Sequence, residues 1–490
     1  MGTAGTFTLT LAPRDAAVPA ARWLSGALRA AILDGRLRPG ARLPATRDLA
    51  KRYRLSRGTI VTAFEQMKSE GYVTGRIGSG TYVNTVLPDA LLQAGPPRAP
   101  HPLQPVRPRR ISDAAKRARR FPAPSAHPPR AFRANLPALD LFPTTLWAQI
   151  AGRRLRRASA GLLRGCDALG YLPLRAAVAE YLGASRGVTC VPEQVAIVSG
   201  VQEALDLVAR VFVNRGDRVC MEDPGYVGAA IAFEAVGARI SGLPLDRHGM
   251  VLPDARRRHV RLVYVTPAHQ FPVGVSMSLP RRLALLDWAR ASGALIFEDD
   301  YDSEYRYAGP PVPALQGLDR HGVVLFAGSF SKVLFPSLRL GYLVLPPDLV
   351  DHISVMKSVA SRHAPLLGQA VLCDFISEGH FGRHVRRMRE VYAGRLSVLL
   401  ESAKRRLSGL LEISPVEAGL QTAGWLRGGI AGAAAAAAAA KRGVEVYPLS
   451  RYSRAPARRE GLLLGFAAVD AREIQRGVQE LAIALERVRD

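Results

Sequence analysis

Apolar residues recur at helical spacing near the start of the chain, at Trp23, Leu24, Ala27, Leu28, Ala31 and Ile32, and predict a helix that Asp34-Gly35 stops. A second helix is expected from Thr46, whose hydroxyl is placed to cap it, through Arg47, Leu49 and Ala50. After a turn at Arg54-Leu55, Ser56 is placed to cap a third helix in which Ile60, Phe64 and Met67 face inward. GYVTGRIGSGTYV follows, two short strands around a glycine tip at Arg76-Ile77-Gly78-Ser79-Gly80. From residue 131 the pattern changes to short apolar runs alternating with helical periods, the mark of an α/β domain with a largely parallel sheet. Between these regions residues 86–130 hold eleven prolines, too many for a packed element and enough for an extended, semi-stiff connector. The expected organisation is therefore a small domain over residues 1–85, a basic linker over 86–130 and a large domain over 131–490.

Composition adds a partner. The chain carries 67 Lys and Arg against 41 Asp and Glu, a net charge of +26, which favours a polyanion through phosphate neutralisation. A genome that writes Arg freely would produce the same excess. Within the linker, RPRRISDAAKRARR at 107–120 sets seven basic groups against one Asp, either a solvated spacer or a source of further phosphate contacts. Four scattered cysteines show no paired spacing, so neither a disulfide framework nor a zinc site is indicated and a reducing cytoplasm fits. The first residues lack the charge and apolar pattern of a secretory signal, and no apolar stretch is long enough to span a bilayer. The run Ala433–Ala440, followed by Lys441-Arg442-Gly443, predicts a surface helix with a glycine stop.

Helix, helix, turn, helix and hairpin make a winged helix-turn-helix, in which the exposed first turn of the third helix meets base edges in the major groove. Over residues 20–83, AILDGRLRPGARLPATRDLAKRYRLSRGTIVTAFEQMKSEGYVTGRIGSGTYV resembles the GntR family of bacterial transcription regulators. The resemblance implies that Arg47, Ser56, Arg57 and Thr59 contact DNA bases and phosphates, with Arg76 beside them on the wing and Gly78 letting the wing tip approach the minor groove. Arginine has the fork that reads guanine or clamps phosphate, and glycine has no Cβ to strike the duplex.

The larger region poses a different chemistry. LFAGSFSKVLFPSLRLGY sets Lys332 among Ser, Gly, Phe and Leu, a poor place for a solvated charge, with Arg339 seven positions on. VAIVSGVQEALDLVARVF predicts a buried strand, a Ser199-Gly200 turn and a helix from Val201 whose first amides are free to hold an anion. ALIFEDDYDSEYRY is an apolar strand delivering Glu298, Asp299, Asp300, Tyr301 and Asp302 at its C-terminal end, where open α/β sheets bind ligands. Asp300 and Asp302 are expected to be strand-end surface acids. A lysine for an imine, an anion turn, an acid for a pyridinium and Arg339 with Ser329 for phosphate oxygens together ask for pyridoxal phosphate.

EDPGYVGAAIAFEAVGA, YVTPAHQFPVGVSMSLPRRLALLDWA, EDDYDSEYRYAGPPVPALQGLD and FSKVLFPSLRLGYLV resemble fold-type I aminotransferases, and more closely the aminotransferase-like half of MocR-type regulators. The resemblance implies Lys332 as the Schiff-base lysine, Asp299 as partner of the ring nitrogen, Tyr301 as donor to the phenolic oxygen and Tyr226 stacked on the ring. It places Ser199, Gly200, Val201, Gln202, Ser329 and Arg339 around the phosphate. Aminotransferases usually show Asn-Pro-x-Gly where this chain has His269-Gln270-Phe271-Pro272-Val273-Gly274, which leaves open whether His269 or Gln270 meets the ring oxygen. For an effector carboxylate YPLSRYSRAPARREGLLLGFAAVD offers Arg451, Arg454, Arg458 and Arg459, of which Arg451 is favoured, and Gly228 stands where one MocR-type pattern has a second arginine. The resemblance further implies a homodimer reading paired half-sites in double-stranded DNA. The expected function is a DNA-binding regulator that senses pyridoxal phosphate or a small amine or amino acid; the alternative is an active aminotransferase carrying a DNA-binding head.

Overall fold

In the computed structural model the structure describes residues 11, 13–15, 17–76, 79–88, 109–121, 127–252, 259–309, 313–413, 416–456 and 459–489. The chain divides into two compact units, residues 1–109 and 110–490. Gly78, expected at the wing tip, lies outside the described residues, as does most of the proline-rich stretch.

The first unit is a winged helix-turn-helix. Helices Ala20–Leu33, Thr46–Tyr53 and Arg57–Ser69 precede the strands β1 (Val73–Arg76) and β2 (Gly80–Val83), paired antiparallel with Val73 opposite Val83. Leu24, Leu28, Ile32, Leu49, Ile60, Phe64 and Met67 close one small core, as their spacing requires. Ser56 caps the third helix by accepting the Thr59 amide at 3.1 Å. Thr46 does not cap the second: Ala45 holds that position without a side-chain bond, and Thr46 is already helical. Arg54, left-handed at φ 54°, makes the tight turn between the two.

The second unit is built on an eight-stranded sheet. Its strands are β3 (Val195–Val198), β4 (Arg218–Asp223), β5 (Arg239–Asp246), β6 (Gly249–Met250), β7 (Val260–Val265), β8 (Leu295–Asp300), β9 (Val324–Ser329) and β10 (Gly341–Val344), in the order β3-β10-β9-β8-β7-β4-β5-β6. The run from β9 through β8, β7 and β4 to β5 is parallel, while β10 lies antiparallel to both β3 and β9. Strands buried on both faces explain the near-continuous apolar runs, since helices cover the sheet on either side. A four-stranded sheet follows from β11 (Leu411–Ile413), β12 (Gln421–Leu426), β13 (Tyr447–Pro448) and β14 (Gly461–Gly465), in the order β11-β12-β14-β13.

The polyalanine segment forms helix Gly432–Lys441, but it is not merely a surface helix: Ala435 and Ala439, four apart, are fully buried against the core. The connector also departs from a uniformly extended chain. Residues 113–118 form a short helix capped by Ser112, whose Oγ accepts the Ala115 amide at 3.1 Å. The prolines stop at Pro108 and resume at Pro122, so this stretch keeps the amides a helix needs. Among the described residues, no helix is long and apolar enough to cross a membrane.

Candidate functional site

The C-terminal ends of β3, β8 and β9 and the turn after β4 converge on one cavity of about 420 Å³. Strand β9 runs straight into the turn Phe330–Val333, which presents Lys332 from the cavity floor. Lys332 Nζ donates to the Asn135 carbonyl oxygen at 2.9 Å. Burial pushes this amine down from the usual 10.5 to about 8, helped by the Arg339 charge and opposed by Asp302 and Asp299.

Asp299 reaches the same cavity from β8. Tyr264, on neighbouring β7, donates to Asp299 Oδ2 at 2.7 Å, while Asp299 Oδ1 is buried without a hydrogen-bond partner. Burial raises this carboxyl to about 7; Asp300 and Asp302 add to the rise and the Tyr264 hydroxyl opposes it. An unpaired carboxylate oxygen so placed is costly unless a ligand satisfies it.

Gly200 and Arg339 line the same cavity. Gly200 takes φ +128°, a conformation other residues rarely adopt, and opens helix Val201–Phe212. A Cβ on Gly200 would stand 3.6 Å from the nearer Arg339 guanidinium nitrogen, an ordinary contact, so it is the backbone angle that calls for glycine beside that cation. Gly341 lets β10 approach: a Cβ there would meet the Gly328 carbonyl at 2.7 Å and Gly200 Cα at 3.2 Å. Arg339 itself is left-handed at φ 50° and exposed.

Most of the expected residues thus meet on one cavity: Gly200, Val201, Gln202, Tyr226, Asp299, Tyr301, Ser329, Lys332 and Arg339 all line it. Tyr226 is fixed by donating to Gln202 Oε1 at 3.3 Å, and Gln202 Nε2 donates to the Gly228 carbonyl at 3.1 Å. Burial pushes the phenols of Tyr226, Tyr264 and Tyr301 upward, so all three remain protonated donors at neutral pH.

Others stand apart. The Ser199 amide donates to Glu203, whose other oxygen takes the buried Lys357 ammonium at 2.8 Å, so Ser199 borders the turn without lining the cavity. His269 lies behind Tyr301: its Nδ1 is 3.0 Å from both Asp302 oxygens and 3.0 Å from Tyr301 Oη. Phe271, not His269 or Gln270, lines the cavity. Gln270 instead donates to the Pro224 carbonyl at 2.9 Å. Arg451 lines an adjoining cavity of about 620 Å³ that shares Asn135, Tyr226 and Phe271 with the first.

The two acids expected at the surface are buried. Asp300 pairs with Arg186 at 2.8 Å, both under a tenth exposed, and Asp302 is 1% exposed beside His269. Arg186 offsets the charge of Asp300, and His269 gives Asp302 a hydrogen-bond partner, so neither carboxylate is buried alone. Asn135, Tyr264 and Phe121 also line the cavity and were not anticipated. Tyr264 carried a weak signal as the one buried polar-tipped residue in the strand Val260–Val265, whose other polar side chain, Arg261, is exposed. Asn135 carried none, since it acts through its backbone carbonyl.

In the first unit Arg47, Ser56 and Arg57 are exposed and Thr59 half-buried, with Ser56 Oγ 2.8 Å from Thr59 Oγ1. Arg76 is exposed on β1, its guanidinium 5.0 Å from the Tyr82 ring centroid.

A lysine, a buried acid and an anion cradle at the strand ends of such a sheet, on a chain that also holds a winged helix-turn-helix, define a regulator with an aminotransferase-like body. Residues 135–478 match the family Aminotransferase class I and II, and residues 22–83 match Bacterial regulatory proteins, gntR family. The chain is 41% identical over 475 residues to the probable rhizopine catabolism regulatory protein MocR of Rhizobium meliloti, covering 96% of this chain and 94% of that protein. It is 30% identical to the pyridoxine biosynthesis transcriptional regulator PdxR of Corynebacterium glutamicum, across 94% and 95% of the two chains. Among solved structures, the alpha-aminoadipate aminotransferase LysN of Thermus thermophilus, complexed with N-(5'-phosphopyridoxyl)-L-leucine, superposes with TM-score 0.68 at 32% identity over 73% of this chain and 92% of that one. The chain belongs to the MocR-type regulators of the GntR family.

Proposed function

We propose that this regulator binds pyridoxal phosphate at Lys332 and reports the cofactor, or an amine or amino acid that exchanges with Lys332, to its DNA-binding head. The observation that carries the reading is the shared cavity of a lysine poised near neutrality, a buried acid with one unpaired oxygen, and a glycine–arginine cradle. These residues fit the group: Gly200, Val201, Ser329 and Arg339 would hold its phosphate, Asp299 Oδ1 its ring nitrogen, Tyr226 its ring face and Tyr301 its phenolic oxygen. When bound, the group supplies an aldehyde that condenses with amines and a ring that withdraws electrons.

The chain's own residues prepare for this. Burial and Arg339 keep a usable fraction of Lys332 neutral, and only the neutral amine is a nucleophile. Tyr264 holds Asp299 through one carboxylate oxygen, leaving the other without a partner. Arg451 in the adjoining cavity is the candidate for an effector carboxylate. Exposed Arg47, Ser56 and Arg57 and half-buried Thr59, with Arg76 on the wing, would read paired DNA half-sites from a homodimer in the cytoplasm.

The test sets cofactor and DNA binding side by side. Lys332→Ala should abolish both the visible absorbance gained with pyridoxal phosphate and the mass adduct trapped by borohydride. DNA affinity should differ between cofactor-free and cofactor-loaded wild type. An unmodified chain that stays colourless and untrapped would overturn the reading. Robust steady-state transamination with no change in DNA affinity would favour the aminotransferase alternative.

A further inference from the structure

The basic stretch between the two units has a surface role beyond that of spacer. Helix Asp113–Ala118 lies against helix Val227–Ala235, the helix whose N-terminal end carries Tyr226. Arg117 donates to the Glu234 carbonyl oxygen at 3.0 Å, and Arg120 pairs with the Glu234 carboxylate. The same carboxylate takes Arg454 at 2.9 Å through its other oxygen. Arg454 belongs to the loop that carries Arg451, and that loop is pinned to the end of β4: Asp223 accepts the Arg454 and Ala455 amides at 2.9 and 3.2 Å, and the Gly225 amide donates to the Tyr452 carbonyl at 3.0 Å. Arg120, Arg451 and Arg454 all line the cavity of about 620 Å³ beside the cofactor site, whose lining holds no acid. Glu234, outside that lining, balances only part of this charge. The next residue, Phe121, lines the cofactor cavity itself.

We propose that Arg120 is an effector-binding residue: with Arg454 it receives the side-chain carboxylate of an acidic amino acid whose α-carboxylate meets Arg451. The proposal rests on the reading of the body as a pyridoxal-phosphate domain that takes up amines. Its physical basis is charge matching. A dicarboxylic ligand entering a cavity lined by three guanidinium groups gains bidentate, charge-assisted hydrogen bonds that an uncharged amide cannot make. Because Arg120 belongs to the stretch leading to the head, a ligand that binds it holds the linker to the body, which gives occupancy a direct mechanical consequence.

The test uses the full-length chain loaded with pyridoxal phosphate and titrated with L-aspartate, L-glutamate, L-2-aminoadipate and, as a neutral control, L-glutamine. Change in visible absorbance reports binding, and trypsin cleavage at Arg117, Arg119 and Arg120 reports linker mobility. At least one acid should bind about tenfold more tightly than glutamine and slow the cleavage. Arg120→Ala should erase about tenfold of that preference while leaving cofactor absorbance and glutamine affinity in place. Glu234→Gln, which removes the internal competitor, should strengthen acid binding. Silence from all three acids, or an acid-to-glutamine ratio unchanged in Arg120→Ala, overturns the proposal. A wild-type chain that takes up no cofactor overturns the functional reading beneath it instead.

Discussion

The pH dependence of cofactor capture isolates the environment of Lys332. Transfer of its ammonium from water into the cavity lowers the pKa from 10.5 to about 8. That displacement corresponds to about 3 kcal/mol against the charged form. At pH 7 about a tenth of the amine is then neutral, on the order of 300-fold more than for an ordinary lysine. The neutral fraction reaches about one-half at pH 8 and about nine-tenths at pH 9, so the second-order rate of capture should rise only about twofold over that last unit and then flatten. Below pH 8 the limb should be steeper than one proton requires, because Asp299 loses its proton through about 7 and only its ionised form attracts a protonated ring nitrogen. The cofactor's phosphate, with a second pKa of about 6, is mostly ionised throughout and contributes little curvature. The assay is stopped-flow absorbance of the cofactor-free chain mixed with pyridoxal phosphate, with borohydride trapping and peptide mass to assign the adduct to Lys332. A rate that keeps climbing about tenfold per unit through pH 9 would mean an unperturbed, solvated lysine and would refute the argument.

Three further outcomes follow from particular contacts. Gly200→Ala places a methyl beside Arg339 and forces φ +128° on an alanine, so affinity for pyridoxal phosphate should fall about tenfold or more, while affinity for unphosphorylated pyridoxal falls less. Absorbance titrations with the two ligands separate phosphate contact from general damage. Burial and nearby Asp300 lift the Glu304 carboxyl from 4.5 to about 7, so folding disfavours its ionised form and stability is lost as pH rises through that window. Glu304→Gln, which cannot ionise, should therefore be more favourable to stability at pH 8 than at pH 4 relative to the unmodified chain, read from denaturant midpoints at the two pH values. Arg57→Ala should weaken operator DNA binding about tenfold or more and flatten its salt dependence, with cofactor absorbance unchanged.

Local periodicity carried most of the head. Ile60, Phe64 and Met67 announce an inward face, and Ser56 caps its helix through a bond that spans three residues. Thr46 misled because threonine is an equally good cap one position away, and the entry angle of the chain decides between Ala45 and Thr46. In the body, Lys332 and Asp299 were legible because each stands at the end of an apolar strand, where a charge has no packing purpose. Asp302 and Asp300 misled for the same reason, since sequence shows a charge at a strand end but not what faces it. Asp300 meets Arg186, 114 positions away. Asp302 meets His269 beneath Gly419, where a Cβ would come within 2.1 Å of the imidazole. That glycine records the crowding, but only a folded chain says with what.

The same distinction governs the linker. Proline content sets residues 86–130 apart from either neighbour, yet composition averages over a proline-free island from 109 to 121, and the second compact unit begins at Arg110. Within that island, the charge excess that suggested phosphate contacts has a partner on the body. Glu234 closes helix Val227–Ala235, and Tyr226 opens it. Nine residues of helix span about 13 Å, so one short element joins Tyr226 to the Glu234 contact with Arg120. A ligand that shifts Tyr226 or engages Arg120 would therefore act on the two ends of one element. For such a ligand to transmit anything, the hold on Arg120 must differ between the ligand-free and ligand-bound forms, because a contact equally present in both shifts no equilibrium.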